Sequence, residues 1–346
     1  MQPCRPRGVL EFELPNLGRS MRRREFISLV GGTAVTFSLA AQAQQSEKIR
    51  RVGILMGSGP SLRVNVTAFL TRLDELGCKS GRNLRTDIHW WSGDAEQMRT
   101  VAADMLVEPP DVLVAFTNLA LALLKPLAGN VPIVFVGVGD PVGSGFVNSL
   151  AQPGGNITGF ASYDGPMGSK WLEVLKESVP QVTRVMAILH PETPVHNAFW
   201  KSIEAAAPRL AVQATPGGVH DAPEIERKIS SFAVNGNAGL IVLPHALTAA
   251  NRELIIELAN GHHLPTIFAE EVALTAGALI FHGIDFIDNF AHVADYVDRV
   301  LRGAKPAELP VQAPIKFKLG YNLKTARAMG LDIPPIMLSR ADEVIE

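Results

Sequence analysis

The chain has 346 residues, room for about two ordinary globular domains. Hydrophobic residues make up 47% and charged residues 19%, which excludes bulk disorder. Its 32 basic and 34 acidic residues leave a formal charge of −2, with no basic excess for nucleic acid, and two cysteines exclude a disulfide framework.

The first segment reads as a leader, residues 1–43, rather than a domain. Arg22-Arg23-Arg24 leads through Glu25 and Phe26 into an uncharged run, residues 27–41, that ends in Ala41-Gln42-Ala43. A basic start, an apolar stretch too short for a bilayer and an A-x-A site predict an export signal cleaved near Ala43. Arg23-Arg24-x-Phe26-Ile27 has the form of a twin-arginine signal, so the expected compartment is the periplasm, with general secretory export as the alternative route. Residues 1–20 fit neither signal nor domain, and Met21 is the better start, so they read as a start-site artefact. The mature chain from Gln44 would hold 303 residues, with 26 basic and 31 acidic side chains and Cys78 as its one thiol.

Strands and helices then alternate. Residues 51–56 form an apolar run closed by Gly57-Ser58-Gly59-Pro60, the pattern of a buried parallel strand. Helix 61–76, strand 84–90, helix 95–107, strand 112–116, helix 119–127, strand 131–136, a short helix 142–150 and strand 156–160 follow. A second set holds helix 167–178, strand 184–189, helix 195–209, strand 212–214, helix 222–232, strand 239–243, helix 249–262 and strands 266–268 and 277–281. Helix 289–301, strand 315–319 and helix 323–329 close the chain. Such alternation predicts an α/β protein with two doubly wound parallel-sheet lobes, read from this pattern alone as consecutive.

Ligands of open α/β sheets collect beyond the C-terminal strand ends. Ser58 stands there between glycines that let backbone approach a ligand. Phe116 offers an apolar wall, while Thr117 and Asn118 either cap the next helix or meet a ligand. Asp140, in a Gly-Asp-Pro turn, is an Asx-type cap, a cleft carboxylate, or both. In the second set, Glu192, Thr193 and Asn197 surround one strand end beside His196. His245 follows Leu243-Pro244, Glu270 could pair with a ligand amine, and Asp285 lies near a later strand end. Tyr163 and Trp200 could add aromatic walls. No catalytic residue, cofactor or metal site is expected. Gly57-Ser58-Gly59 lacks the third glycine of a dinucleotide fingerprint, and no phosphate loop, nucleophile elbow or His-Glu-x-x-His occurs.

Around Asp140 the sequence becomes more specific. PIVFVGVGDPVG at 132–143, continued by SLAQPGGNITGF at 149–160, resembles a signature of the bacterial ABC-transporter substrate-binding family. That family has the type I periplasmic-binding-protein fold, and its better-known members take up tryptophan and tyrosine. Gly81-Arg82-Asn83-Leu84, RGAKPAELP at 302–310 and a tail with NLKTARAMGLDIPP and ADEVIE match in the same order, so the resemblance spans 49–346. It implies a ligand cleft between lobes that the chain joins three times: lobe 1 from 48–160 plus 277–305, lobe 2 from 161–276 plus 306–346. It also implies an exported receptor that captures a small polar organic solute, an amino acid or similar and possible aromatic, by lobe closure. Its partners would be the ABC permease and ATPase subunits. The alternative is a periplasmic ligand-sensing module for a signalling receptor. Phe116-Thr117-Asn118 stands where relatives look like Gly-Thr-Pro, and His190-Pro191-Glu192 where they look like Asn-Pro-Asp/Glu, which leaves the ligand open.

Overall fold

A computed structural model describes residues 49–346 except 58–59, 92–94 and 235, so the expected leader and Ser58 lie outside the described residues. Five strands make the first sheet: β1 (Arg50–Gly57), β2 (Leu84–Trp91), β3 (Val112–Phe116), β4 (Ile133–Val138) and β5 (Ile157–Ala161). All pair in parallel, in the order β2-β1-β3-β4-β5. Parallel neighbours need crossovers, supplied by α1 (Pro60–Glu75), α2 (Ala95–Met105) and α3 (Thr117–Leu127). The inner strands β3 and β4 are apolar on both faces because both are covered. Val52, Ile54, Val112 and Val114 pack with Phe69 and Leu73 of α1, while Leu55, Leu113 and Phe135 pack with Met98 of α2 and Leu121 of α3.

The second sheet contains β6 (Arg184–Leu189), β7 (Gln213–Gly218), β8 (Ala238–Val242), β9 (Thr266–Phe268), β10 (Ile280–Ile284), β11 (Phe317–Asn322) and β12 (Glu343–Ile345). Its order is β12-β11-β10-β9-β8-β6-β7, so β7-β6-β8-β9-β10 repeats the winding of the first sheet. α4 (Met167–Ser178) precedes β6, and the helices between the strands from β6 to β10 are α5 (Pro194–Ala206), α6 (Ala222–Ala233), α7 (Ala246–Ala250), α8 (Arg252–Gly261) and α9 (Val272–Thr275). Then come α10 (Phe286–Leu301), α11 (Leu323–Ala328) and α12 (Pro335–Leu338). β11 runs antiparallel to β10. Parallel pairing throughout therefore fails at this strand, because β11 does not follow a helix laid on its own sheet. The expected helix at 142–150 is a series of turns, broken where Gly145 takes φ +69°.

The chain passes between the sheets after β5, at Asp285 and beyond Gln312. Two of these passages come later than the resemblance implied. β10 pairs with β9 and β11, so the return to the first sheet begins with α10 and not at residue 277. Phe290, Val293 and Val297 recur at helical spacing on α10 and pack in the same core as Phe69 of α1. Residues 306–312 also stay with the first sheet: Gln312 bridges to Phe160, and Thr158 Oγ1 donates to Leu309 O at 2.6 Å.

Candidate ligand site

Strand order reverses between β1 and β3 in the first sheet and between β6 and β8 in the second. Open α/β sheets place ligands beyond the strand ends at such points. The two edges meet: a Cβ on Gly139 would stand 3.8 Å from the Val195 side chain of α5.

On the first sheet, β3 ends at Phe116, whose ring meets Phe286 edge-on at 5.8 Å and Phe290 at 5.7 Å. Gly137 makes room for it. β4 bulges there at φ +69°, and a Cβ would come within 2.9 Å of Phe116 Cε2. Thr117 opens α3 at φ +84°, a region that β-branched side chains avoid, so the backbone is strained at the candidate site. Asn118 clamps the end of β4: Nδ2 donates to Gly139 O at 2.8 Å and Oδ1 accepts from Gly139 N at 2.9 Å. One N–H and one lone pair remain for anything else. Exposed Asp140 accepts from Gly143 N at 2.8 Å through Oδ1, the Asx-type cap its turn suggested.

On the second sheet, β6 and β8 end in a histidine cluster. His190 and His245 stack at 4.5 Å with 20° between their planes. His220 meets His190, and His196 of α5 meets His245, each edge-on at 5.5 Å. Hydrogen bonds fix two tautomers. His196 Nδ1 accepts from the His190 backbone N–H at 2.9 Å, so its proton sits on Nε2, facing Pro244 O at 3.2 Å. His245 Nδ1 accepts from the Leu247 N–H at 3.1 Å as the cap of α7, which leaves its proton on Nε2 as well. Burial lowers His196; burial and then the neighbouring His196 and His190 charges press His245 down to about 4.

His220 runs the other way. Nε2 lies 3.0 Å from Glu192 Oε1 and Nδ1 lies 2.9 Å from Glu224 Oε2, and these bonds raise the imidazole while lowering both carboxyls. Glu192 also reaches His190 Nδ1 at 3.2 Å, so much of its bonding capacity goes into a His–Glu–His bridge. Thr193 stands at the N-cap position of α5 without a side-chain capping bond and sits 3.4 Å from His190 Nδ1, with Asn197 exposed one turn on. Glu270 leaves β9 half-buried, and burial pushes it up to about 7 against the opposing charge of Arg252.

Asp285 lies apart from these groups, at the second passage between sheets. Only 4% exposed, it caps α10 by accepting from Asp288 N at 3.2 Å and pairs with Lys316 at 3.0 Å. Burial opposes its charge, but the Lys316 hydrogen bond, the Asp288 N–H and the charges of Lys318 and Lys316 outweigh it and hold the carboxyl low. It lines a cavity of about 310 Å³ between α10 and residues 312–316. Tyr163 is a joint too: its hydroxyl donates to Ala269 O at 2.8 Å and accepts from Ile284 N at 3.0 Å. Trp200 packs on the second-sheet core.

The structure thus gathers Phe116, Thr117, Asn118 and Asp140 at one reversal point and Glu192, Thr193 and His245 at the other. His220, Phe286 and Arg252 were not singled out from sequence, and His190 was marked only as a departure from its relatives. His190 and His220 do follow strand ends closely, a signal that finds them. Among the described residues no helix is long and apolar enough to cross a membrane, and no group of three or more His, Cys, Asp or Glu could hold a metal ion.

Residues 52–345 match the family described as ABC transporter substrate binding protein. The chain belongs to that family. The tyrosine-binding protein of Clostridioides difficile (strain R20291) is 24% identical to this substrate-binding protein over 288 residues, 83% of this chain and 82% of that one. A solved conserved domain protein from Vibrio cholerae O1 biovar El Tor strain N16961 is 26% identical with a TM-score of 0.77, covering 86% of this chain and all of its own. An ABC domain from Streptococcus pneumonia in complex with L-Trp is 23% identical, also at TM-score 0.77, covering 86% of this chain and 99% of that one. The fold is that of type I periplasmic binding proteins, and the family is one of solute-binding proteins rather than enzymes. Burial and then the Asp298 carboxylate push the thiol of Cys78 up, opposite to what a nucleophilic thiol needs.

Proposed function

We propose that this substrate-binding protein is exported and captures a small polar organic solute between two lobes, one built on each sheet. It then presents the solute to the permease and ATPase subunits of an ABC uptake system. Lobe 1 comprises residues 49–161 and 286–312, and lobe 2 the remainder of the described chain. The observation that carries the reading is the meeting of two strand-reversal points. Residues 116–118 and Asp140 lie on one side, His190, Glu192 and His245 on the other, and Gly139 approaches Val195 between them. A ligand that bridges both edges favours the closed state by its differential affinity, with the three passages as hinges.

An amino acid suits this set: a hydroxyl at Thr117 and helix amides for its carboxylate, Asp140 or Glu270 for its ammonium. The tyrosine-binding relative and the L-Trp complex support an aromatic side chain, with Phe116 as a wall. The Arg23-Arg24 run before an uncharged stretch supports export to the periplasm.

Thermal-shift measurements against the common amino acids and related metabolites test the reading. A solute that raises the melting temperature should lose that effect in Thr117→Ala and Asp140→Ala. If no solute stabilises the protein, or both variants bind unchanged, the site is misassigned. Arg23→Lys combined with Arg24→Lys should hold the protein in the cytoplasm; continued periplasmic appearance would point to the general secretory route.

A further inference from the structure

We infer that Arg252 and Glu270 are the two halves of a split charge pair that the ligand completes, Arg252 receiving a carboxylate and Glu270 an ammonium. The inference rests on the receptor reading above and names two charges that the bound solute must carry.

Topology puts both residues on one edge. α8 links the end of β8 to the start of β9, so its first residue, Arg252, lies toward the C-terminal strand ends, and Glu270 follows β9 at that same edge. Arg252 is badly placed for stability alone. It opens α8, directly after the cap Asn251, where the helix presents its positive end and favours acidic side chains. Its Nε is buried without a hydrogen-bond partner. Among the described residues the Arg252 side chain makes no hydrogen bond, ion pair or ring contact, although its charge reaches Glu270.

A guanidinium kept for structure is ordinarily paired, because an unsatisfied buried donor costs stability. Here the charge of Arg252 acts on Glu270, and no ion pair joins the two side chains. Glu270 shows the complementary deficit: burial without a contacting cation holds its carboxyl at about 7, against the Arg252 charge and a backbone hydrogen bond that favour the ionised form. A planar guanidinium matches a carboxylate bidentately, and a desolvated carboxyl accepts from an ammonium. An α-amino acid carries both groups on one carbon. The two unsatisfied charges of the protein then become satisfied together.

The test compares the wild type with Arg252→Met, Arg252→Lys and Glu270→Gln by melting temperature and calorimetric titration. The probes are L-tryptophan, L-tyrosine and the other common amino acids, each beside its decarboxylated amine and its N-acetyl derivative. Ligand-free Arg252→Met should melt at or above the wild-type temperature, since it removes an unpaired buried donor. It should bind the amino acid about 100-fold more weakly and discriminate no longer between amino acid and amine. Arg252→Lys should fall between, and Glu270→Gln should lose discrimination against the N-acetyl form. A ligand-free Arg252→Met that melts well below the wild type makes Arg252 a structural residue and overturns the inference. So does an amino acid bound equally by wild type and Arg252→Met, a result that leaves the receptor reading standing. If no amino acid binds the wild type, the amino-acid reading itself falls and the inference with it.

Discussion

The imidazole of His190 lies flat against that of His245, 4.5 Å between ring centres, across the point where strand order in the second sheet reverses. Two protonated rings could not share that spacing cheaply, and His245 already spends Nδ1 on the Leu247 N–H. Its depressed value of about 4, against 6.5 for a free imidazole, means that the unfolded chain takes up the proton first. The sign follows from linkage: the contribution is fully present above pH 6.5 and is lost as pH falls through about 4. His196 acts in the same direction. Urea unfolding at pH 7 and pH 4.5 should show the wild type losing about 1 to 2 kcal/mol more than His245→Asn, allowing for partial exposure. Asparagine keeps the cap of α7 and removes the titration. Equal losses would mean that the ring is not held neutral.

His220 predicts the reverse slope. Glu192 and Glu224 raise it, so its contribution is complete below the unfolded value near 6.5 and fades as pH rises through the folded one. Proton NMR of the His220 ring should give a midpoint above the 6.5 of a free imidazole. Glu192→Gln should bring it down while leaving a residual rise from Glu224. A midpoint unmoved by Glu192→Gln would dissolve the His–Glu–His bridge.

The winding of both sheets was legible because apolar runs alternate with helical spacing, and strand ends gave the neighbourhoods of Thr117, Asp140 and His245. What brought the histidines together was not. His190, His220 and His245 are distant in the chain, and only the order β7-β6-β8 sets their strand ends side by side. Asp285 was read correctly as lying after a strand, yet its role depends on Lys316, which arrives through a different passage. The apolar face of α10 announces that it must be buried, but Phe290 and Val293 do not say under which sheet. That choice is tertiary, and it shifted the lobe boundary.

Gly137 offers a test of how tightly the first-sheet site is built. Alanine there would force a Cβ onto Phe116 at 2.9 Å while holding φ +69°. Gly137→Ala should cost about 2 kcal/mol or more, combining left-handed strain with overpacking. Part of that cost is steric and specific to one ring. In a Phe116→Leu background the cost should shrink by about 1 kcal/mol, the coupling read by a double-mutant cycle in urea. Strict additivity would show that the glycine serves the bulge of β4 and not the position of Phe116.

Asp285 tests whether the passage between sheets is a charged joint. Its carboxylate caps α10, which belongs to the first core, and pairs with Lys316 at 3.0 Å and Lys318 at 3.8 Å as the chain enters β11 of the second sheet. Asparagine retains the cap on the Asp288 N–H and removes the ion pairs. Asp285→Asn should therefore lower stability by about 1 to 2 kcal/mol at pH 7, most of it from a buried acceptor that no longer matches its lysines. Because the folded value is depressed, the wild-type advantage should hold above the ordinary carboxylate range near 3.8 and vanish as pH falls through the folded value. Small-angle scattering adds a second readout. With the joint loosened, the ligand-free radius of gyration should rise in Asp285→Asn but not in Asp140→Asn, whose carboxylate caps only its own turn. An Asp285→Asn protein as stable and as compact as the wild type would reduce the residue to a helix cap.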